Sequence, residues 1–107
     1  MNYGLKKRDI DNITKALRQI PEVEKAIIFG SRAKGNHKLG SDVDLAIKGK
    51  NINYSVVSSL SYLLNEEYAL PYFFDVVHYE KLTESNIIEH IDRVGEIIYD
   101  KSDKKEN

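Results

Sequence analysis

Apolar residues follow helical spacing in three segments of this sequence. Between residues 8 and 20 they recur every three or four positions, and Pro21 ends that predicted helix. The same spacing predicts a helix over residues 53–68, with Asn53 or Ser55 as its N-cap. It also predicts a helix over residues 83–94, followed by a C-cap glycine.

The remaining apolar segments have the pattern of strands. Residues 26–29 form a short apolar run closed by Gly30, which predicts a strand buried on both faces. In residues 43–47 large apolar side chains occupy every second position, which predicts a strand with one buried face. Residues 72–78 are rich in aromatic and β-branched residues, which predicts a third strand. Residues 96–99 predict a short edge strand.

The order of these elements predicts a single α/β (α+β) domain, in which helices pack on a small mixed β-sheet. The domain would occupy residues 1–100, and residues 101–107 would be a polar, disordered tail. With 107 residues, 41% hydrophobic and 31% charged, the chain has the size and composition of one small globular domain. We expect one core and one surface site rather than a pocket that encloses two substrates.

Charge and cysteine content exclude several classes of function. Sixteen Lys and Arg against seventeen Asp and Glu give a net charge of -1, so non-specific nucleic-acid binding is not expected. The absence of cysteine excludes disulfides, thiolate nucleophiles and cysteine-based zinc sites. No apolar run reaches the roughly 20 residues of a membrane span, and the start of the chain lacks a secretion-signal pattern. We therefore expect a cytoplasmic protein with no membrane partner.

Three carboxylates are the candidate chemical groups. Asp42 and Asp44 are two positions apart on a predicted strand, so their side chains leave the same face of the backbone. Oxygen ligands favour a hard cation, Mg²⁺ or Mn²⁺. If the strand of residues 72–78 lies beside this one, Asp75 completes the three-carboxylate cluster that a two-metal phosphoryl or nucleotidyl transfer site needs. The alternatives are a solvated strand face for the first two acids and a strand-end cap for Asp75.

A second candidate feature is the turn at Gly30 and Ser31, which leaves a buried strand and enters a segment that can start a short helix. Its amide hydrogens and the Ser31 hydroxyl can face a phosphate, and Arg32 and Lys34 add positive charge nearby. Ser31 also suits a simple helix N-cap, and the two cations also suit ordinary surface positions. His90 is expected to be structural or exposed.

These two features together resemble a known signature. Gly30 and Ser31, ten intervening residues, and then Asp42-Val43-Asp44 are similar to the Gly-Ser-x10-Asp-x-Asp signature of the DNA polymerase β-like nucleotidyltransferase superfamily. Residues 29–35 with residues 41–45 resemble its minimal nucleotidyltransferase (MNT) branch. A weaker resemblance at residues 74–77 matches the strand that carries the third carboxylate of the family. The likeness spans about residues 26–99.

The resemblance implies a nucleotidyltransferase fold and an activity that transfers AMP from ATP to a hydroxyl group, with release of pyrophosphate. It implies two Mg²⁺ ions, with Mn²⁺ as the other candidate. The catalytic and metal-binding residues would be Asp42, Asp44 and Asp75. The nucleotide-binding residues would be Gly30, Ser31 and Arg32.

The resemblance also implies a partner protein. Many MNT proteins are encoded beside a small helical HEPN or substrate-binding protein and form a complex with it, so we expect a hetero-oligomer. In toxin–antitoxin pairs of this type, the MNT antitoxin adenylylates a tyrosine of the HEPN ribonuclease toxin. Two alternatives stay open. One is a binding module, weakly catalytic or inactive, that inhibits its partner by contact, and the other is a nucleotidyltransferase for a small-molecule acceptor.

Overall fold

A mixed four-stranded β-sheet forms the centre of the protein, for which a computed structural model describes residues 3–103. The strands are β1 (Lys25–Phe29), β2 (Val43–Lys48), β3 (Phe74–His78) and β4 (Glu96–Asp100). Their order across the sheet is β3-β2-β1-β4. β1 pairs antiparallel with both β2 and β4, and β2 pairs parallel with β3. The predicted α/β domain with a mixed sheet is confirmed, including β4 as an edge strand.

The helices follow the predicted spacing with small shifts at their ends. They are α1 (Lys7–Arg18), α2 (Gly30–Lys34), α3 (Tyr54–Tyr62) and α4 (Ser85–Val94). Asn53 is the N-cap of α3, because its side chain accepts a hydrogen bond from the backbone N–H of Val56 at 2.9 Å. Beyond α3 the chain widens into a π-helical turn, Leu63–Glu67, so the predicted single helix over residues 53–68 has two parts.

Helices cover both faces of the sheet. α1 and α3 pack on one face, where the core includes Ile13, Leu17, Ile28, Leu45, Leu60 and Phe74. α4 packs on the other face, in a smaller cluster made of Ile27, Phe29, Ala46 and Ile91. β1 contributes to both clusters, as its unbroken apolar run predicts for a strand buried on both sides.

Gly95 follows α4 at the predicted C-cap, but its backbone is extended, with φ -65° and ψ 148°, rather than left-handed. A Cβ at this position would collide with the carbonyl oxygen of Ile91 and with the side chain of Ile27. A glycine is therefore needed here because the end of α4 lies against β1, and not because of an unusual backbone conformation.

Asn65 fixes the start of β3 from within the π-helical turn. Its Oδ1 accepts from the backbone N–H of Phe74 at 2.8 Å, and its Nδ2 donates to the carbonyl oxygen of Phe74 at 3.0 Å. Phe74 is fully buried and directly precedes Asp75. The side-chain amide thus takes the place of a neighbouring strand and sets the position of the third carboxylate.

None of the helices within residues 3–103 has the length and apolar character that crossing a bilayer requires. Residues 104–107 of the predicted C-terminal tail lie outside the described residues. In the described part of that tail, Lys101 donates its backbone N–H to the carbonyl of Glu24 at 2.8 Å and its Nζ to the carbonyl of Pro21 at 2.7 Å. Lys101, the first residue of the predicted tail, is therefore hydrogen-bonded to the domain.

We predict that Asn65→Leu lowers the free energy of unfolding by about 1–3 kcal/mol, because the buried polar groups of Phe74 lose their partners. Urea titration followed by circular dichroism measures this change. Ser61→Ala is the control, because it removes only the weaker 3.3 Å bond that Asn65 Nδ2 donates to Ser61 Oγ. Equal losses in the two variants would contradict a role for Asn65 in fixing β3.

Candidate active site

The parallel pairing of β2 and β3 brings two of the predicted carboxylates together. Asp44 is the second residue of β2, Asp75 is the second residue of β3, and their Cα atoms are partners in the strand register. Asp42 is exposed and lies just before β2. The condition set by the sequence, that these two strands are neighbours, is therefore confirmed.

These acids lie on the face of the sheet that α4 partly covers. Val43 and Leu45 point into the core with α1 and α3, so Asp44 between them points to the opposite face. Asp75 is exposed and Asp44 is only half-buried, so the cluster is open to a ligand from solvent. The strand register brings the carboxylates together, and their exposure leaves them accessible to a substrate.

Burial raises the pKa of Asp44 above its ordinary value of 3.8, and the negative charges of Asp75 and Asp42 raise the pKa further. The ionised form of Asp44 is therefore disfavoured by partial desolvation and by its two like-charged neighbours. A cation at this place would relieve the repulsion.

The donor chemistry of the cluster fits a hard divalent cation, because every candidate ligand is a carboxylate oxygen. Within residues 3–103, however, no three His, Cys, Asp or Glu side chains are grouped as a ready-made metal-binding set. Burial, and then the charges of Asp75 and Asp42, raise the pKa of Asp44, and the repulsion between the three carboxylates opposes their closer approach. The ligand roles of Asp42, Asp44 and Asp75 stay a prediction.

The Gly30–Ser31 turn lies directly against Asp44. Gly30 has φ +76°, which favours glycine, and a Cβ at this position would collide with Oδ2 of Asp44. The backbone N–H of Gly30 donates to Nε2 of His90 at 3.1 Å. Glycine is thus required here both by the backbone conformation and by the carboxylate. Nucleotide contacts of Gly30 and Ser31 stay a prediction.

Arg32 is buried, with only 3% of its surface exposed, so the surface-charge alternative is wrong for this residue. Its Nε and Nη2 donate to the carbonyl oxygen of Ser41 at 3.1 and 2.8 Å, and its Nη1 donates to the carbonyl oxygen of Tyr3 at 2.9 Å. The guanidinium also lies 5.0 Å from the centre of the Tyr72 ring. Arg32 therefore joins three separate segments, and its predicted nucleotide contact stays a prediction.

A buried carboxylate completes this arrangement. Asp9, 4% exposed, accepts a 2.7 Å hydrogen bond from the Tyr72 hydroxyl. Burial and the hydrogen bond to Asp9 raise the pKa of Tyr72. Through Tyr72, α1 is linked to the segment that enters β3, while Arg32 holds Ser41 next to Asp42. The two segments that carry the carboxylates are thus anchored to the same group of side chains.

Sequence reasoning missed the contact of His90 with Gly30, although one sign of it was present. His90 lies three positions after Ile87 and one before Ile91, on the stripe of α4 that packs against the sheet. A polar residue on such a stripe needs a hydrogen-bond partner. Its partner, 60 positions away in the chain, could be found only from the fold.

A family model described as "Polymerase beta, Nucleotidyltransferase" matches residues 11–104 of the chain. The chain belongs to this nucleotidyltransferase family. The match includes the glycine-serine turn and the three carboxylates, so the resemblance seen in the sequence is confirmed. No curated protein sequence matches the chain significantly.

Solved structures of toxin–antitoxin complexes have a similar fold. A chain of a toxin–antitoxin complex with AMP-PNP superposes with a TM-score of 0.70 at 21% identity, covering 87% of this chain and 74% of the other. A chain of the MntA–HepT complex gives 0.66 at 20% identity, covering 89% and 73%. A chain from the complex of tri-AMPylated Shewanella oneidensis HEPN toxin with MNT antitoxin gives 0.66 at 19% identity, covering 90% and 73%. At these identities the likeness shows a shared fold.

We predict that Asp44→Asn raises the melting temperature at pH 7 by about 2–5 °C when a chelator removes divalent ions. Because the pKa of Asp44 is raised in the folded protein, the folded state holds this proton more tightly than the unfolded chain does. This contribution to stability is complete below pH 3.8 and is lost as the pH rises through the folded-state pKa. The asparagine side chain has a similar shape and carries no charge, so the variant does not lose this stability as the pH rises.

Thermal scans from pH 3.5 to pH 8 check this prediction, and the gain should vanish toward the acid end. Asp42→Asn is the matched control, because that carboxylate is exposed and a smaller gain is expected. A gain from Asp44→Asn that does not depend on pH would argue against ionisation of the Asp44 carboxyl as its cause.

Proposed function

We propose that this nucleotidyltransferase transfers AMP from ATP to a hydroxyl group of a partner protein, most specifically to a tyrosine of a HEPN ribonuclease toxin, and acts in the cytoplasm as its antitoxin. The observation that carries the proposal is the register of β2 and β3, which sets Asp44 beside Asp75, with the Gly30 backbone against Asp44. Family membership supports the reaction class.

The fold comparisons support the choice of acceptor. Chains with this fold occur in a complex with AMP-PNP and in a complex that contains a tri-AMPylated HEPN toxin. The carboxylate cluster of this chain is open to solvent, which suits an acceptor that is delivered by another protein. A helical HEPN partner in a hetero-oligomer is accordingly part of the proposal.

Asp42 and Asp44 would hold two divalent ions, Mg²⁺ or Mn²⁺, and Asp75 would complete the ligands of one of them. When bound, such ions neutralise the charge of the triphosphate and favour ionisation of the acceptor hydroxyl. Oxygen donors alone fit this metal class, and the raised pKa of Asp44 is the electrostatic feature that a cation would reverse.

In the proposed reaction the acceptor oxygen forms a bond to the α-phosphorus of ATP. The bond from that phosphorus to the bridging oxygen breaks, and pyrophosphate leaves. Asp75 takes the hydroxyl proton, since it is exposed and adjacent to Asp44 in the register. Ser31 and the Gly30–Ser31 turn orient the triphosphate, and Arg32 keeps the Ser41–Asp42 segment in place.

We predict that the purified chain, with ATP and Mg²⁺, adds one or more AMP units to the HEPN protein encoded beside it. Intact-mass spectrometry of that protein measures the addition. The double substitution Asp42→Asn/Asp44→Asn should lower the rate by at least about a hundredfold, because it removes the charged groups that the reaction requires. Asp11→Asn, an exposed carboxylate on α1, is the control and should leave the rate unchanged.

The same proteins test which residue accepts AMP and whether inhibition of the toxin requires AMP transfer. Tandem mass spectrometry should place AMP on a tyrosine, and no added mass would refute protein adenylylation. If the double variant still neutralises the toxin in cells, inhibition by contact is the better account. AMP transfer to an aminoglycoside, with none to the protein, would point to a small-molecule acceptor.

A further inference from the structure

The side chain of His90 reaches from α4 to the turn that follows β1. Its Nε2 accepts the backbone N–H of Gly30 at 3.1 Å, and its ring packs edge-on against Phe29, with ring centres 6.1 Å apart. To accept at Nε2, the ring must be neutral and carry its proton on Nδ1. His90 is half-buried, so this hydrogen bond is partly shielded from water.

Gly30 is thereby held between two functional groups. On one side a Cβ would collide with Oδ2 of Asp44, and on the other side its N–H is bonded to His90. Glycine has no side chain that restricts its backbone, so the conformation of Gly30, with φ +76°, depends on these neighbours. The orientation of the Phe29–Gly30 peptide is therefore set from α4.

We infer that His90 is a positioning residue for nucleotide binding, a role that rests on the function proposed above. By fixing the N–H of Gly30, it sets the direction in which the following Gly30–Ser31 peptide and the Ser31 hydroxyl face the triphosphate. It also keeps the Gly30 backbone at contact distance from Asp44. In this role His90 acts through the Gly30 backbone.

The backbone N–H of Gly30 could serve the nucleotide site in two ways. An amide at the start of such a turn is a candidate phosphate donor, but here it already has a partner within the protein. If the bond to His90 positions the turn, its loss weakens nucleotide binding. If His90 merely occupies a donor that phosphate could use, its loss leaves binding unchanged or makes it tighter.

Two substitutions at residue 90 distinguish these uses. His90→Leu keeps an apolar side chain against Phe29 and removes the acceptor. His90→Gln keeps an acceptor oxygen at about the distance of Nε2 from the backbone. A third variant, Tyr79→Phe, removes the 2.7 Å hydrogen bond that the Tyr79 hydroxyl donates to Asp92 on α4 and leaves the bond between His90 and Gly30 in place.

The experiment uses the full chain and two readouts. Hydrogen exchange of the Gly30 amide, measured by NMR without ligand, reports the bond itself. Titration calorimetry with a non-hydrolysable ATP analogue and Mg²⁺ reports nucleotide affinity. For His90→Leu we expect about tenfold faster exchange and about five- to tenfold weaker binding, the scale of one hydrogen bond. His90→Gln should stay within about twofold of the wild type in both, and so should Tyr79→Phe.

Wild-type affinity or tighter binding in His90→Leu would overturn the inference and leave the proposed function standing. The same loss in Tyr79→Phe would also overturn it, because the effect would then come from the packing of α4. A wild-type chain that binds the analogue but transfers no AMP would refute the proposed function, whereas the exchange and affinity differences would still support the role of His90.

Discussion

Two negative charges held side by side on neighbouring parallel strands are the constraint on which the rest of this structure depends. The register of β2 and β3 fixes Asp44 against Asp75, and partial burial makes their repulsion stronger than it would be in water. Such an arrangement lowers the stability of the fold, so the backbone around it must be held from several directions. In the function proposed for this site, the same charges would meet a cation and a triphosphate, and the loss of stability would serve that role.

The supports come from separate parts of the chain. Asn65 binds both backbone groups of Phe74 and so fixes the strand that carries Asp75. Arg32 binds the carbonyl of Ser41, which fixes the approach to Asp42 and Asp44. His90 binds the turn on the far side of Asp44. Each support is a side chain that bonds to backbone, so each constrains the course of the chain and leaves the carboxylates open to solvent.

The elements of the fold and the residues of the motif could be predicted from the sequence, because both depend on local periodicity and spacing. Alternation placed Asp44 opposite the core, and the apolar run of β1 predicted a strand buried on both faces. What the sequence could not show depends on contacts between distant positions. The burial of Arg32 against Tyr3 and Tyr72 is one case, and the bond from Gly30 to His90 is another. Only the packed fold determines which polar groups meet.

Because Arg32 is buried and bonded to backbone carbonyls, the motif has one part that holds the fold together and another, the aspartates, to which we assign the proposed chemistry. A related chain that lost its carboxylates would still need a guanidinium here, because a lysine lacks the fork of separate donors that Arg32 directs to the carbonyls of Ser41 and Tyr3. Gene duplicates that drift into inactive, purely regulatory forms should therefore keep the arginine after the glycine-serine turn and lose the paired aspartates first. In surveys of such duplicates, the arginine would mark an intact fold, and the aspartates would mark chains that keep the activity proposed above.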